Sequence, residues 1–230
     1  VRLTQHALAT PADLYHVWKP HPFNGLAGIL ASRLRGRPLY LDCDDYEALS
    51  TRFTARWQPK LVRWVEDMLP RMATGVTVNT RFMAERLRRI GVSPQRIAYV
   101  PNGVEKERFL PPVSGAVDHL RERLSLAGKA VILYAGILSL AGHPLDLLLE
   151  AFVTVARDCP QAHLVFVGGG EDGHFLRRRV QEVGLGGRVI FTGAVEPEEM
   201  VAYYLLGYCS VDPVRDDDHA RARCPLKVLE

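Results

Sequence analysis

Gly168, Gly170 and Gly173 stand in the segment AHLVFVGGGEDGHFLRRR in a G-x-G-x-x-G pattern, directly after an apolar run and before a helix-like stretch. Glycine lets a backbone approach a ligand closely, and the first turn of a helix attracts phosphate. A dinucleotide site of this kind also needs an acidic residue at the end of the next strand to hold a ribose hydroxyl. That strand ends Phe191-Thr192-Gly193, without an acid, and the motif follows the second strand of its block instead of the first. Both points argue against an NAD-dependent dehydrogenase.

Two acidic clusters invite a metal reading. Asp42-Cys43-Asp44-Asp45 closes a strand-like run, and carboxylates on one turn can hold Mg²⁺ or Mn²⁺. Asp216-Asp217-Asp218-His219 has a similar make-up. Such acids also cap a following helix or sit solvated, and residues 216–219 are expected to do that. Asp44 and Asp45 stay candidates for a functional role, because the carboxyl ends of parallel strands face the ligand crevice.

Residues 52–72 place Trp57, Leu61, Trp64, Met68 and Met72 along one helical face, among Arg52, Arg56, Lys60 and Arg63. Tryptophan beside basic residues suits a membrane interface. The plainer expectation is a stripe turned toward a core. Pro59 either kinks this helix or marks its start.

These groups need a scaffold. Branched apolar runs at 14–18, 38–42, 75–79 and 97–101 read as strands, and the rhythm resumes at 130–135, 163–167, 188–192 and 208–212. Helix-like stretches lie between them. Residues 80–90 are capped by Thr80 and stopped at Gly91, and residues 144–158 carry Leu145, Leu148, Leu149 and Phe152 at helical spacing. Strands alternating with amphipathic helices give covered parallel sheets, the α/β class. Residues 105–129, with Pro111-Pro112 and Ser114-Gly115, read as a linker, which divides the chain into 1–112 and 113–230.

With 230 residues, 47% hydrophobic and 24% charged, the chain falls outside the disordered and fibrous classes. Its longest nearly uncharged apolar run, residues 130–142, is shorter than the roughly 20 residues of a membrane-spanning helix. Cys43, Cys159, Cys209 and Cys224 lie far apart with no Cys-x-x-Cys pair, which argues for a reducing, cytoplasmic setting. The net charge of +3 hides an asymmetry: residues 1–112 carry 17 basic and 10 acidic side chains, residues 113–230 carry 12 and 16. A basic half suits an anionic surface or ligand, although an arginine-rich composition produces the same bias.

Taken in order, several segments resemble the retaining GT-B glycosyltransferases of family 4. TVNTRFMAERLRRIGVSPQRIAYVPNGVEKERF, residues 77–109, is similar to the run that ends the N-terminal domain of that family. VILYAGILSLAGHPLDLLLEAF, HLVFVGGGED, RVIFTGAV and PLKVLE look like successive segments of its donor-binding domain. The resemblance implies two Rossmann-like domains, both incomplete: an acceptor-side one at 1–112 and a donor-side one at 113–230. It implies transfer of a sugar from a nucleotide-diphosphate donor to a glycan or lipid-linked acceptor, with no metal cofactor and no nucleic acid partner. A degenerate, non-catalytic nucleotide-binding module is the alternative.

The donor site implied in this way comprises Gly136, His143, Gly168, Gly170, Thr192, Lys227 and Glu230. Glu230 matches the second of two glutamates spaced eight apart, whose two oxygens hold the ribose hydroxyls. The first falls at Ala222, so sugar recognition departs from the family more than nucleotide binding does. Where the family has an arginine and a lysine after the first donor-domain strand, this chain has residues 136–143, and His143 is either the substitute cation or a helix-start residue. The loop of the acceptor-side histidine matches LDCDDYEA, with Asp44 or Asp45 in its place. Glycine-loop amides, a helix N-terminus and Lys227 are expected to support the departing diphosphate. Gly170→Val is expected to push a side chain into the diphosphate's path. The glycine-rich loop of the first domain and everything after Glu230 are missing, so the chain is expected to be a fragment truncated at both ends and inactive alone. Its parent is expected to be cytoplasmic, docked on anionic membrane through its basic half.

Overall fold

The computed structural model describes residues 2–51, 53–109 and 115–229. The chain forms two compact units, Val1–Asn102 with Asp216–Pro225, and Gly103–Arg215 with Leu226–Glu230. Among the described residues, eight strands make two separate four-stranded parallel sheets, one in each unit.

In the first unit the sheet runs β1 (Tyr15–Trp18), β2 (Leu39–Cys43), β3 (Gly75–Val78), β4 (Ile97–Tyr99), in chain order. Helix α1 (Arg2–Ala9) precedes it. Helix α2 (Pro22–Arg35), the short α3 (Glu47–Ser50) with α4 (Gln58–Met72), and α5 (Arg81–Arg89) connect successive strands. Crossovers between parallel strands are right-handed, so a sheet that advances in one direction carries its connecting helices on one face. Burial follows the strand period of two: Val17, Leu39, Leu41, Val76 and Val78 are buried, while Trp18 and Tyr40 are exposed.

Helix α5 starts as its sequence requires, with Thr80 Oγ1 accepting from Met83 N at 3.2 Å, and Gly91 at φ +92° follows its last turn. Thr80→Ala is expected to cost about 1 kcal/mol. Urea unfolding followed by tryptophan fluorescence reads this directly, because Trp18, Trp57 and Trp64 all belong to the first unit.

Two expectations are corrected. Helix α4 begins at Gln58 with Pro59 in its first turn, and it buries Val62, Val65 and Leu69. Trp57, Leu61, Trp64 and Met72 are exposed, so the stripe read as core-facing is the outer one. The helix has two apolar stripes about 100° apart, and the compact branched side chains are the ones that fit against the sheet. Residues 105–129 are not simply a linker: α6 (Ala116–Arg123) lies within them, and Leu120 and Leu126 are buried in the second unit. Pro111, Pro112 and Ser114 fall outside the described residues.

The second sheet comprises β5 (Ala130–Ala135), β6 (Ala162–Val167), β7 (Val189–Gly193) and β8 (Cys209–Ser210), in the order β7-β6-β5-β8. Helices α7 (Leu145–Asp158) and α8 (Gly173–Glu182) cover one face through Leu145, Phe152 and Leu176, packed with Leu164 and Phe166. Helix α6 and α9 (Met200–Leu206) cover the other with Leu120 and Leu206, joined by Leu126 from the turn before β5 and packed with Leu133 and Val165. Every residue of β6 is buried, as a central strand covered on both faces requires. Two short helices close the chain: α10 (Asp218–Ala222) belongs to the first unit and α11 (Leu226–Leu229) to the second. The strand order reverses at β5, since the chain moves from β5 to β6 and β7 and then returns to the other side of β5 as β8. The loops leaving the carboxyl ends of β5 and β8 therefore part there and open a crevice.

Candidate functional site

At that crevice the loop at 136–143, after β5, lies against the glycine-rich loop at 168–172, after β6. Leu138 N donates to Gly169 O at 2.9 Å and Asp172 N to Leu138 O at 3.0 Å. Leu140 N donates to the Asp172 carboxylate at 2.7 Å. Gly136 and Gly168 have φ +149° and +136°, a region that side-chain-bearing residues rarely adopt. A Cβ at Gly168 would overlap the Gly136 carbonyl oxygen, and one at Gly170 would lie 2.6 and 2.7 Å from Leu138 N and C. A side chain at position 170 therefore runs into the Leu138 backbone first, which corrects the reading of Gly170→Val as a plain block to a diphosphate. Gly168 N donates to Gly193 O at 2.9 Å and Gly173 N to Gly170 O at 3.2 Å, so these two amides are engaged inside the fold.

Helix α11 brings Lys227 back to the same place. Its Nζ lies 2.6 Å from Asp212 Oδ1, just past β8, and 4.3 Å from the centre of the Tyr134 ring. His143 Nδ1 is 4.0 Å from the same Asp212 oxygen, and its ring meets Tyr134 edge-on at 6.0 Å. The Tyr134 hydroxyl donates to Ile137 O at 3.1 Å, which ties the aromatic platform to the loop after β5. Asp212 belongs to no motif in the sequence, and its position just beyond a strand is the signal that marks it. A cavity of about 610 Å³ opens beside it, lined in part by Ala135, Tyr204, Ser210, Asp212 and Lys227.

The other donor-side candidates fall differently. Thr192 sits on the edge strand β7, and its hydroxyl donates to backbone oxygens, Gly193 O at 2.8 Å and Phe166 O at 3.4 Å. Glu230 lies outside the described residues. Ala222, the position matched to the first glutamate, is fully buried in the core of the first unit.

In the first unit, Asp44, Asp45 and Glu47 follow β2 and bring their oxygens within 4.8 Å of one another. Lys19, at the end of β1 with φ +64°, places its Nζ among them, 2.7 Å from Glu47, 2.8 Å from Asp45 and 3.9 Å from Asp44. Trp18 Nε1 donates to Asp44 Oδ2 at 3.1 Å. Burial works to lower the Lys19 pKa, but its hydrogen bonds to Asp45 and Glu47 outweigh that and hold the ammonium above its ordinary range. Burial pushes the Asp44 carboxyl up. The acids that suggested a metal clamp are thus arranged around a protein cation.

Underneath, the buried Glu66 of α4 accepts from Glu47 N at 2.7 Å and Ala48 N at 3.0 Å. It holds the first turn of α3, and burial raises its pKa to about 7. Residues 216–219 do what was expected of them. Asp217 Oδ1 accepts from Ala220 N at 2.8 Å and caps α10, and Asp216 pairs with Arg221 at 2.7 Å on the surface.

Two family descriptions match the chain: Glycosyl transferase 4-like domain over residues 1–103, and Glycosyl transferases group 1 over residues 118–216. Mannosylfructose-phosphate synthase of Agrobacterium fabrum is 29% identical over 122 residues, 50% of this chain and 26% of that protein. GDP-mannose-dependent alpha-(1-6)-phosphatidylinositol monomannoside mannosyltransferase of Mycobacterium tuberculosis is 31% identical over 120 residues, 52% of this chain and 30% of that protein. Among solved structures, Anabaena Alr3699/HepE in complex with UDP-glucose superposes with a TM-score of 0.70 at 19% identity, over 92% of this chain and 55% of that one. Sucrose-phosphate synthase of Thermosynechococcus elongatus gives 0.65 at 24% identity, over 92% and 54%. The likeness to solved structures is one of fold. The chain spans less than a third of the length of these two curated relatives and about half that of the structural neighbours.

Proposed function

Since the chain belongs to the group 1 glycosyltransferases, with a Rossmann-like half of the GT-B fold in each unit, we propose that the protein transfers a sugar from a nucleotide-diphosphate donor, held by the second unit, to a glycan or lipid-linked acceptor. The observation that carries this reading is the grouping of Lys227, His143 and Asp212 where the second sheet reverses its strand order, beside a cavity of about 610 Å³. As the bond from the sugar to the diphosphate breaks, negative charge develops on the departing oxygen. An ammonium already fixed against Tyr134 and Asp212 stabilises that charge without reorganising. We assign this role to Lys227, with His143 adding charge when protonated, and no metal ion is required. The donors and acceptors in the relatives' names, GDP-mannose and a phosphatidylinositol glycolipid, support the substrate class.

On the acceptor side we keep Asp44 and Asp45 as candidates, because they lie just past the carboxyl end of β2, where parallel sheets hold their ligands. The four unpaired cysteines support a cytoplasmic setting. No helix among the described residues is long and apolar enough to cross a membrane. We place the protein at the cytoplasmic face of an anionic membrane, which suits its basic first half and a lipid-linked acceptor.

Lys227→Met is expected to weaken binding of UDP, GDP or ADP, whichever calorimetry shows to bind, by about 10- to 100-fold, the worth of one charge-assisted hydrogen bond. Lys227→Arg should recover part of it. Unchanged affinity in the Met variant would place the diphosphate elsewhere.

A further inference from the structure

We propose that the outer faces of α2 and α4 form one surface that docks the protein on an anionic lipid bilayer. This deepens the assignment of a lipid-linked acceptor and rests on it for the choice of a bilayer. The two helices are neighbours on one face of the first sheet, and Gly25 of α2 packs against Leu69 of α4 so closely that a Cβ there would overlap the leucine.

Helix α2 turns its small residues Gly25, Gly28 and Ala31 inward. Outward it presents Phe23, Leu26 and Leu30, at 78%, 53% and 45% exposure. Helix α4 adds Leu61 and Trp64. A helix flanking a soluble core ordinarily places charged side chains at such positions. Large apolar side chains exposed together mark a contact with something apolar.

Charge identifies the partner. Helix α2 contains no acidic residue and ends in Arg33 and Arg35. Helix α4 exposes Lys60, Arg63 and Arg71, while of its two acids Glu66 is buried and Asp67 is paired with Arg86. An apolar band bearing tryptophan, rimmed by cations, with no acid left unpaired, fits the headgroup and acyl boundary of an anionic bilayer. A second copy of the chain fits less well, because a two-fold interface would set this basic rim against itself.

Flotation of the 230-residue chain with phosphatidylcholine vesicles, with and without about 30% phosphatidylglycerol, tests the surface. At least about tenfold more protein is expected on the anionic vesicles, with the preference falling when salt is raised to about 0.5 M. Phe23→Asp with Trp64→Asp should lose about tenfold on anionic vesicles. Lys60→Gln with Arg63→Gln, which leaves the apolar band intact, should reduce binding several-fold. Tyr208→Asp, a change at a still more exposed aromatic in the second unit, should leave it unaltered. Circular dichroism confirms that each variant is folded. Equal binding to both vesicle types, no binding, insensitivity to both double variants, or a dimer in light scattering without vesicle binding each overturns the proposal. Nucleotide calorimetry on the same samples separates the two readings. Lost vesicle binding with intact nucleotide binding removes only the surface. The reverse removes only the assignment of the donor site.

Discussion

Gly168→Ala is expected to cost the second unit about 4 kcal/mol, a large fraction of the roughly 5–15 kcal/mol that stabilises a typical domain. Two contributions add. The backbone there has φ +136°, which for a residue with a Cβ costs about 1–3 kcal/mol. The new methyl also overlaps the Gly136 carbonyl oxygen, and neither partner can yield. Gly136 is held by its own hydrogen bond to Val167 O at 2.9 Å, and Gly168 by its bond to Gly193 O at 2.9 Å. Forcing atoms into such a contact adds about 1–3 kcal/mol. Amide exchange in peptides covering β5, β6 and β7 should become much faster. The tryptophans, all in the first unit, give an internal control. Unchanged protection would show that the two loops part easily. Gly170→Val meets the Leu138 backbone in a similar way, so loss of nucleotide binding in that variant reports on folding. The Lys227 variants are the cleaner probe of the site.

Glu66→Ala should destabilise the first unit by about 3–5 kcal/mol, because it strands two buried amides, Glu47 N and Ala48 N, and leaves a void. The acidic loop around Lys19 begins at these amides, so its geometry should loosen with them. The pH dependence has a definite sign. Burial lifts the folded-state pKa from an ordinary 4.5 to about 7, so between those values the folded chain binds more protons than the unfolded one. This group's contribution to stability is then greatest below pH 4.5, falls as pH rises through the window and is level above about 7. The full change is of order 3 kcal/mol. Glu66→Gln keeps one acceptor oxygen and cannot titrate, so this part of the slope should vanish. Urea unfolding read by tryptophan fluorescence across that range measures it; an identical slope in the Gln variant would assign the titration to other groups.

Much of the scaffold was legible one segment at a time. β5 runs from Ala130 to Ala135 as the apolar run does, most other strands fall within a residue or two of their runs, and Thr80 caps α5. These features arise from interactions over a few residues: branched side chains favour strands, and a hydroxyl reaches the amide three positions on. The glycines at 168 and 170 were also visible, as was Lys227, because a resemblance in order along the chain needs no contact to be recognised.

What could not be read this way depends on contacts closed over distance. The periodicity of α4 revealed an apolar stripe but not which of its two stripes packs inward; that depends on Gly25 of α2, far away in the chain, meeting Leu69. Residues 105–129 carry linker-like dipeptides, yet Leu120 and Leu126 become core only once α9 comes beside them. Lys19 lies 26 and 28 residues from Asp45 and Glu47, and their pairing turns a metal-like acid cluster into an ammonium cage. Asp212 gains meaning only when the reversed strand order sets β8 beside β5 and α11 returns Lys227 to it. Local propensity follows from the residue and its near neighbours. The choice of buried face and the pairing of charges follow from packing across the chain, where burial free energy and desolvation depend on what arrives from elsewhere.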